Sequence, residues 1–359
     1  MANSAAYLPL FELTRGRVVE CIHHGAVAVM DASGGLVAWY GDPDAVTFLR
    51  STAKPFQAMP FIEHGGHGAY NLTPREIALI CASHSGTDEQ VAVVREIQAK
   101  TGVGEAELLC GVHPSFHDET AQAMHDRKEA PTPNRHNCSG KHTGMLSYVH
   151  LKKRQGEWQD DPEYIDPGHP LQKEILNTFA EMCRLPVDQV ELGIDGCSAP
   201  NFAVPLRSAA LAYARLCDPL TGDVQPAGRV AACHTIAAAM TAYPEMVGGP
   251  GRFDTLLMQA GRGRILAKGG AEGYQGIGLM PGALGPGSPA LGITLKIADG
   301  DDRSRIRSAV SLEVLRQLGA LGPSELDALA AYGPGFPIHN WRKLVVGTGY
   351  PVFELKRTR

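Results

Sequence analysis

Residues 17–40 read Arg17-Val18-Val19-Glu20-Cys21-Ile22-His23-His24-Gly25-Ala26-Val27-Ala28-Val29-Met30-Asp31-Ala32-Ser33-Gly34-Gly35-Leu36-Val37-Ala38-Trp39-Tyr40. Val and Ile recur up to Asp31, the Ala-Ser-Gly-Gly step supplies a turn, and Leu36 to Tyr40 returns. The stretch predicts a β-hairpin. Outward from it the periodicity becomes helical, over 88–100, 118–128, 144–153, 171–184, 202–217 and 228–243. Thr73-Pro74-Arg75-Glu76 is a capping box with proline at the first helical position, and it opens a short helix over 77–82. Polar, proline-rich stretches such as 156–170 separate these segments. Beyond Gly261 the character changes again: glycines alternate with short apolar runs at 264–268, 274–280 and 292–298 that read as strands. A turn at 299–302, a helix over 303–318 and a last strand over 352–356 complete the chain. Strands, then helices, then strands predict an α+β fold. One mainly antiparallel sheet is built from both chain ends, with a helical region inserted. The expected division is a sheet subdomain at about 1–70 and 255–359 and a helical subdomain at about 71–254, within one unit spanning 1–359.

The 359 residues suit about two domains or one large one, and 44% hydrophobic content is enough for a real core. A mainly disordered chain is thereby excluded. The net charge of −5 comes from scattered charges of both signs. No basic stripe marks a nucleic-acid partner, and the run at 150–154 is too short to serve as one. No apolar run approaches the ~18 residues of a membrane span. The first seven residues lack the basic-then-apolar order of a secretory signal. Eight cysteines without a Cys-x-x-Cys pair predict reduced thiols in a cytoplasmic protein.

Chemistry begins at Arg50-Ser51-Thr52-Ala53-Lys54-Pro55. Pro55 belongs in the first turn of a helix, which makes Ser51 an N-cap of a helix running toward Glu63. Ser51 and Lys54, three apart, share a face. A serine is a poor nucleophile until a base takes its proton, and lysine can act only when its pKa of roughly 10.4 is brought down. Alone, the pair reads equally as a cap beside a solvated lysine. Ser83-His84-Ser85 in a loop and Lys268-Gly269-Gly270 at a strand end then follow in order. Serine β-lactamases and penicillin-binding proteins use the same order of Ser-x-x-Lys, Ser-x-polar and Lys-x-Gly. The second serine can relay a proton, the second lysine places positive charge by the reacting carbonyl, and the glycines leave a strand edge open. Ser85 stands where Asn is usual and Gly269 where Thr is usual, which argues against a β-lactamase.

A second cluster, Asn137-Cys138-Ser139-Gly140-Lys141-His142, carries a thiol, an amine and an imidazole. Arg135 occupies the place of the first phosphate-loop glycine and His142 that of the magnesium-binding hydroxyl, so it is no nucleotide site. Asp195-Gly196-Cys197 forms a glycine-containing turn. Cys138 and Cys197, with nitrogen from position 141 or 142, can make a zinc site with one open position; two buried thiols is the plainer reading.

Together these strings resemble the rhizobial-type, class 3 L-asparaginases of the asparaginase II family. The matching residues are Arg50 to Pro55, Ala82 to His84, Asn137 to His142, Asp195 to Cys197 and Lys268 to Gly273. The resemblance implies a serine-β-lactamase/glutaminase-like fold, a homodimer, and hydrolysis of L-asparagine to L-aspartate and ammonia. It implies Ser51 as nucleophile with Lys54, a second pair of Ser83 and Lys268, and zinc held by Cys138, Lys141, Cys197 and water. Arg50, His142 and Asp195 become expected substrate-binding residues, with Arg50 for an α-carboxylate and Asp195 for an α-ammonium. The alternatives are a glutaminase of the same fold, since one methylene is worth only ~1–3 kcal/mol of discrimination, and a catalytically silent zinc-binding or amino-acid-sensing relative. A penicillin hydrolase ranks third.

Overall fold

The computed structural model describes residues 6–159, 162–301 and 305–358. Asp302 and Arg303, in the expected turn and helix start, lie outside the described residues, as do residues 1–5. The chain opens with strands β1 (Leu8–Arg15), β2 (Val18–Asp31), β3 (Leu36–Tyr40) and β4 (Val46–Phe48). Seven helices follow: α1 (Lys54–Glu63), α2 (Gly66–Ala69), α3 (Pro74–Ile80), α4 (Asp88–Thr101), α5 (Asp118–Asp126), α6 (Ser139–Arg154) and α7 (Pro170–Met182). A hairpin of β5 (Glu191–Ile194) and β6 (Pro200–Pro205) leads to α8 (Leu206–Cys217), α9 (Ala227–Ala242), α10 (Pro244–Val247) and α11 (Phe253–Gly261). The last third holds β7 (Ile265–Gly270), β8 (Tyr274–Leu279), β9 (Leu291–Ile297), α12 (Arg305–Leu318), α13 (Pro323–Ala328), β10 (Phe336–His339), β11 (Val345–Pro351) and β12 (Lys356–Arg357). None of the described helices is long and apolar enough to cross a membrane.

Two compact units divide the chain. The first comprises 1–52, 204–223 and 256–359, and the second 53–203 and 224–255. The division differs from the expected one in two places. The chain leaves the first unit at 52 rather than near 70, because α1 is buried from Lys54 to Ile62 and packs on α6, α7 and α9. Residues 204–223 return to the first unit because α8 lies on its sheet.

In the first unit the strands run in the order β10-β11-β1-β2-β9-β8-β7, with β3 on β2 and β12 on β3. Every pairing in this sheet is antiparallel. The hairpin read at 17–40 forms as β2–β3, with Val29 opposite Ala38. Three strand glycines admit α8. A Cβ at Gly292 would lie 1.8 Å from the Ala210 carbonyl, one at Gly276 2.4 Å from the Tyr213 ring, and one at Gly278 2.4 Å from Cys217 Sγ. On the opposite face Gly269 meets Arg307 of α12. Side chains alternate along β7, so helices cover both faces of this sheet.

Several expected elements are corrected. The helix expected over 202–217 begins as strand β6, and Pro205, which has no N–H for a ladder, ends it at the N-cap of α8. The last long strand is β11, not 352–356. Its glycines hid it: a Cβ on Gly347 would sit 1.8 Å from the Thr14 carbonyl, so the strand approaches β1 with no side chain there. β1 itself was not anticipated. Helix α6 starts at Ser139, five residues before the periodicity suggested, because Gly140 and Gly144 are its contact with α3. Their Cβ positions lie 2.3 Å from the Leu79 carbonyl and 2.5 Å from Ile80 Cγ2.

In the second unit Phe179 stacks on Phe202 with centroids 4.8 Å apart, and Phe56 meets Phe179 tilted at 60° and 5.7 Å. Arg229 joins Glu63 at 2.9 Å and Glu181 at 3.1 Å. Both carboxylates share one guanidinium there, which offsets their desolvation.

Candidate active site

In the first unit, Arg50 adopts a left-handed backbone at φ 52°. Such a conformation costs a non-glycine residue on the order of 1–3 kcal/mol and persists where surroundings over-determine it. The surroundings here are specific. Residues Arg50–Ala53 form a 3-10 turn, and Thr52 donates its N–H and its hydroxyl to the Leu49 carbonyl at 3.2 and 2.8 Å. The Thr52 carbonyl accepts from Tyr213 Oη of α8 at 2.8 Å. Ser51 is thus held within a 3-10 turn. It is not the N-cap; Ala53 takes that position in α1, with no side-chain cap. Below the turn, β7 contributes Lys268, buried to 1% exposure, whose Nζ donates to the Gly269 carbonyl at 2.8 Å. Gly270, two residues on and so on the same face, lies under the turn: its Cβ position is 2.5 Å from the Leu49 carbonyl and 3.3 Å from the Ser51 nitrogen. Arg50 Nη1 is 3.6 Å from Glu272 Oε1.

The second unit holds the other expected residues. Lys54, 1% exposed at the first position of α1, donates from Nζ to Ser83 Oγ at 2.7 Å. The Ser83 loop is tied along its length. Ser83 N donates to the Val247 carbonyl at 3.0 Å, His84 N to the Asn137 carbonyl at 3.2 Å, and Ser85 Oγ to the Gly248 carbonyl at 3.0 Å. Cys138, Lys141 and Cys197 converge, all buried, with Lys141 Nζ 2.9 Å from Cys197 Sγ. The Cys197 thiol donates a hydrogen bond to Cys138. Against the opposing effect of burial, that bond and the ammoniums of Lys54 and Lys141 hold the Cys138 thiol well below its ordinary pKa. Cys197 is pushed up, first by that same bond and then by burial. Burial pulls Lys141 down, but the two sulfurs beside it prevail and its pKa rises.

Asp195 sits in the β5–β6 turn, where its carbonyl accepts from Ser198 N at 2.9 Å and its Oδ2 is 3.6 Å from Cys197 Sγ. His142 is fully buried and its Nδ1 is 2.7 Å from Tyr164 Oη. Its Nε2 makes no well-formed hydrogen bond. Burial and then Lys141 lower its pKa to about 4, with nearby Cys197 partly opposing the fall. Buried in this way, His142 supports the thiol cluster more directly than it meets a diffusing substrate.

Three histidines brace the cluster in ways the spacing did not reveal. His84 Nδ1 accepts from Gly86 N at 3.0 Å, so Nε2 carries the hydrogen and donates to Ser139 Oγ at 2.8 Å. Ser139 in turn donates to the Asn134 carbonyl at 2.9 Å. Burial, then the charge of Lys54, lowers the His84 pKa to about 3, so the ring stays neutral. His136 Nδ1 accepts from Cys138 N and His113 Nε2 from Asn137 N, at 3.0 and 2.9 Å. The His84–Ser139 and His113–Asn137 contacts cross 55 and 24 residues of sequence, which no local motif exposes.

Among the described residues no three His, Cys, Asp or Glu side chains form a metal-binding group. Two thiols and an amine do converge. Soft sulfur with nitrogen is a donor set that suits zinc, with lysine binding as the neutral amine. The residues fit such an ion by chemistry.

Solved structures similar to the chain include a Bacillus subtilis glutaminase in covalent complex with 5-oxo-L-norleucine (13% identity, covering 76% of this chain and 79% of that one, TM-score 0.32). A Bacillus glutaminase crystallised in 4.3 M NaCl is 13% identical over 82% and 90% of the two chains, with a TM-score of 0.35. No curated protein sequence matches significantly. The L-asparaginase II profile matches residues 11–350. With nearly the whole chain covered, the protein belongs to the L-asparaginase II family and is an amidohydrolase acting on amide C–N bonds.

Proposed function

We propose that this amidohydrolase cleaves the side-chain amide of L-asparagine to L-aspartate and ammonia through an acyl-enzyme on Ser51. The reading is carried by the buried 2.7 Å contact between Lys54 Nζ and Ser83 Oγ, on the helix that continues the Ser51 turn. Ser51 in the 3-10 turn and Lys54 at the start of α1 are three residues apart, a spacing that places residues on one helical face. Lys54, after giving up its own proton, takes the Ser51 proton as Oγ attacks the amide carbon. Ser83 then returns a proton to the departing ammonia, and water resolves the ester. Lys268 and Ser83 serve as the second Ser–Lys pair, with Lys268 supplying positive charge on the β7 face that carries Gly270. Cys138, Lys141 and Cys197 would hold zinc, which when bound would supply a fixed positive charge. Arg50 is the proposed contact for the substrate's α-carboxylate. The eight free thiols fit a reducing, cytoplasmic setting, and the working form is taken as a homodimer.

The deciding experiment measures ammonia release from L-asparagine and L-glutamine by the purified protein and by Ser51→Ala. Release from asparagine that disappears in the variant is the expected result. Near wild-type activity in Ser51→Ala would refute the nucleophile, and glutamine as the better substrate would refute the specificity.

A further inference from the structure

The turn after β7 is anchored beside Ser51 more firmly than a surface turn requires. The Gly270 backbone is lodged under the Leu49 carbonyl and the Ser51 nitrogen. The Glu272 carbonyl accepts from Lys296 Nζ at 2.7 Å, and the Gly273 carbonyl from Ile297 N at 2.9 Å. These contacts hold in place a glutamate whose side chain is 65% exposed, opposite an arginine fixed in a left-handed backbone conformation. The Arg50–Glu272 separation of 3.6 Å is long for a charge-assisted hydrogen bond. An exposed pair of this kind adds little to stability, so other charges displace it at small cost. It therefore offers a cation and an anion, side by side, next to the proposed nucleophile.

We infer that Arg50 and Glu272 form a clamp for a zwitterion, in which Arg50 takes the α-carboxylate and Glu272 the α-ammonium of a free α-amino acid amide. Glu272 then determines specificity for the free amino acid. The inference deepens the Ser51 reading and rests on it. All of its residues belong to the first unit. Asp195, the acid expected for the ammonium, belongs to the second unit, with its Oδ2 3.6 Å from Cys197 Sγ.

The test compares kcat/KM for L-asparagine and for succinamate, the same amide without its amino group. Wild type should favour asparagine, and Glu272→Gln should shrink that preference by about tenfold or more, the usual scale for losing a charge-assisted contact. Glu272→Asp, which keeps the charge, should fall between them. Equal losses on both substrates would mean that Glu272 only steadies Arg50, and an unchanged ratio would mean that it touches neither; each overturns the clamp. If wild type hydrolyses neither amide, the asparaginase reading fails separately. The clamp is then decided by calorimetry with L-aspartate and succinate. A preference for L-aspartate that Glu272→Gln abolishes supports it, and equal or absent binding by wild type overturns it.

Discussion

Replacing Gly140 by alanine tests how the thiol cluster is held. The new Cβ would stand 2.3 Å from the Leu79 carbonyl oxygen and 3.0 Å from its carbon, whereas ordinary contact begins at 3.4 Å. Backbone cannot swing aside as a side chain can, so α6 must retreat from α3 by about 1 Å. Overpacking of this kind costs about 1–3 kcal/mol. Alanine recovers at most ~1 kcal/mol of helix propensity, and less in a first turn. The net expectation is a loss of about 1–2 kcal/mol, read as a lower urea midpoint. Cys138 and Lys141 flank Gly140, so the displacement falls on the proposed metal donors, and zinc content and kcat/KM should fall with stability. Gly68→Ala in α2 is the control: no atom lies within 4 Å of its Cβ position, and it should be neutral or slightly stabilising. A Gly140→Ala protein as stable as wild type, with its metal retained, would refute the close α3–α6 contact as the device that sets the cluster.

Two further outcomes follow from the buried groups. His84 has a folded pKa of about 3 against about 6.5 in the unfolded chain. The unfolded state therefore binds a proton first as pH falls, and stability is lost from pH ~6.5 downward until the folded ring protonates. Between pH 6.5 and 5 the contribution is about 2 kcal/mol. His84→Gln should flatten the acid limb of a urea-midpoint-against-pH plot by that amount; parallel curves would show that the ring is not held neutral. For the metal, Cys197→Ser should lower zinc per chain, measured by elemental analysis, from near one to well below it. Wild-type protein that binds no zinc, or a variant that keeps it, would overturn the Cys138–Lys141–Cys197 assignment.

The α+β order was legible because β2, β3, β7, β8 and β9 carry β-branched residues bounded by glycine turns. The capping box at Thr73 marks a helix start that the structure reproduces. The missed elements are those whose residues were chosen for their neighbours. β11 carries Gly347 and Gly349, which weaken any local strand signal but admit β1 and Phe336. The early part of α6 uses glycines in the same way. In the site, the motifs named Lys54 and Ser83 but paired them with Ser51 and Lys268, and the grouping of Lys141 with Cys138 and Cys197 came from the family resemblance rather than from spacing. The roles of His84 and His113, and of Glu272 opposite Arg50, came into view only through contacts distant in sequence.

The strand order of the first unit also sets a schedule for biosynthesis. β1 lies between β2 and β11, so one of its edges is satisfied within a few residues and the other only after Val345–Pro351 has emerged. β2 likewise waits for β9. The second unit, drawn from 53–203 and 224–255, can close much earlier on the ribosome, since chains acquire structure as they lengthen. Until β11 is made, the nascent sheet presents an unpaired β1 edge, the kind of edge that invites pairing with another chain. The chain is therefore most exposed to misassembly in the interval before β11 arrives.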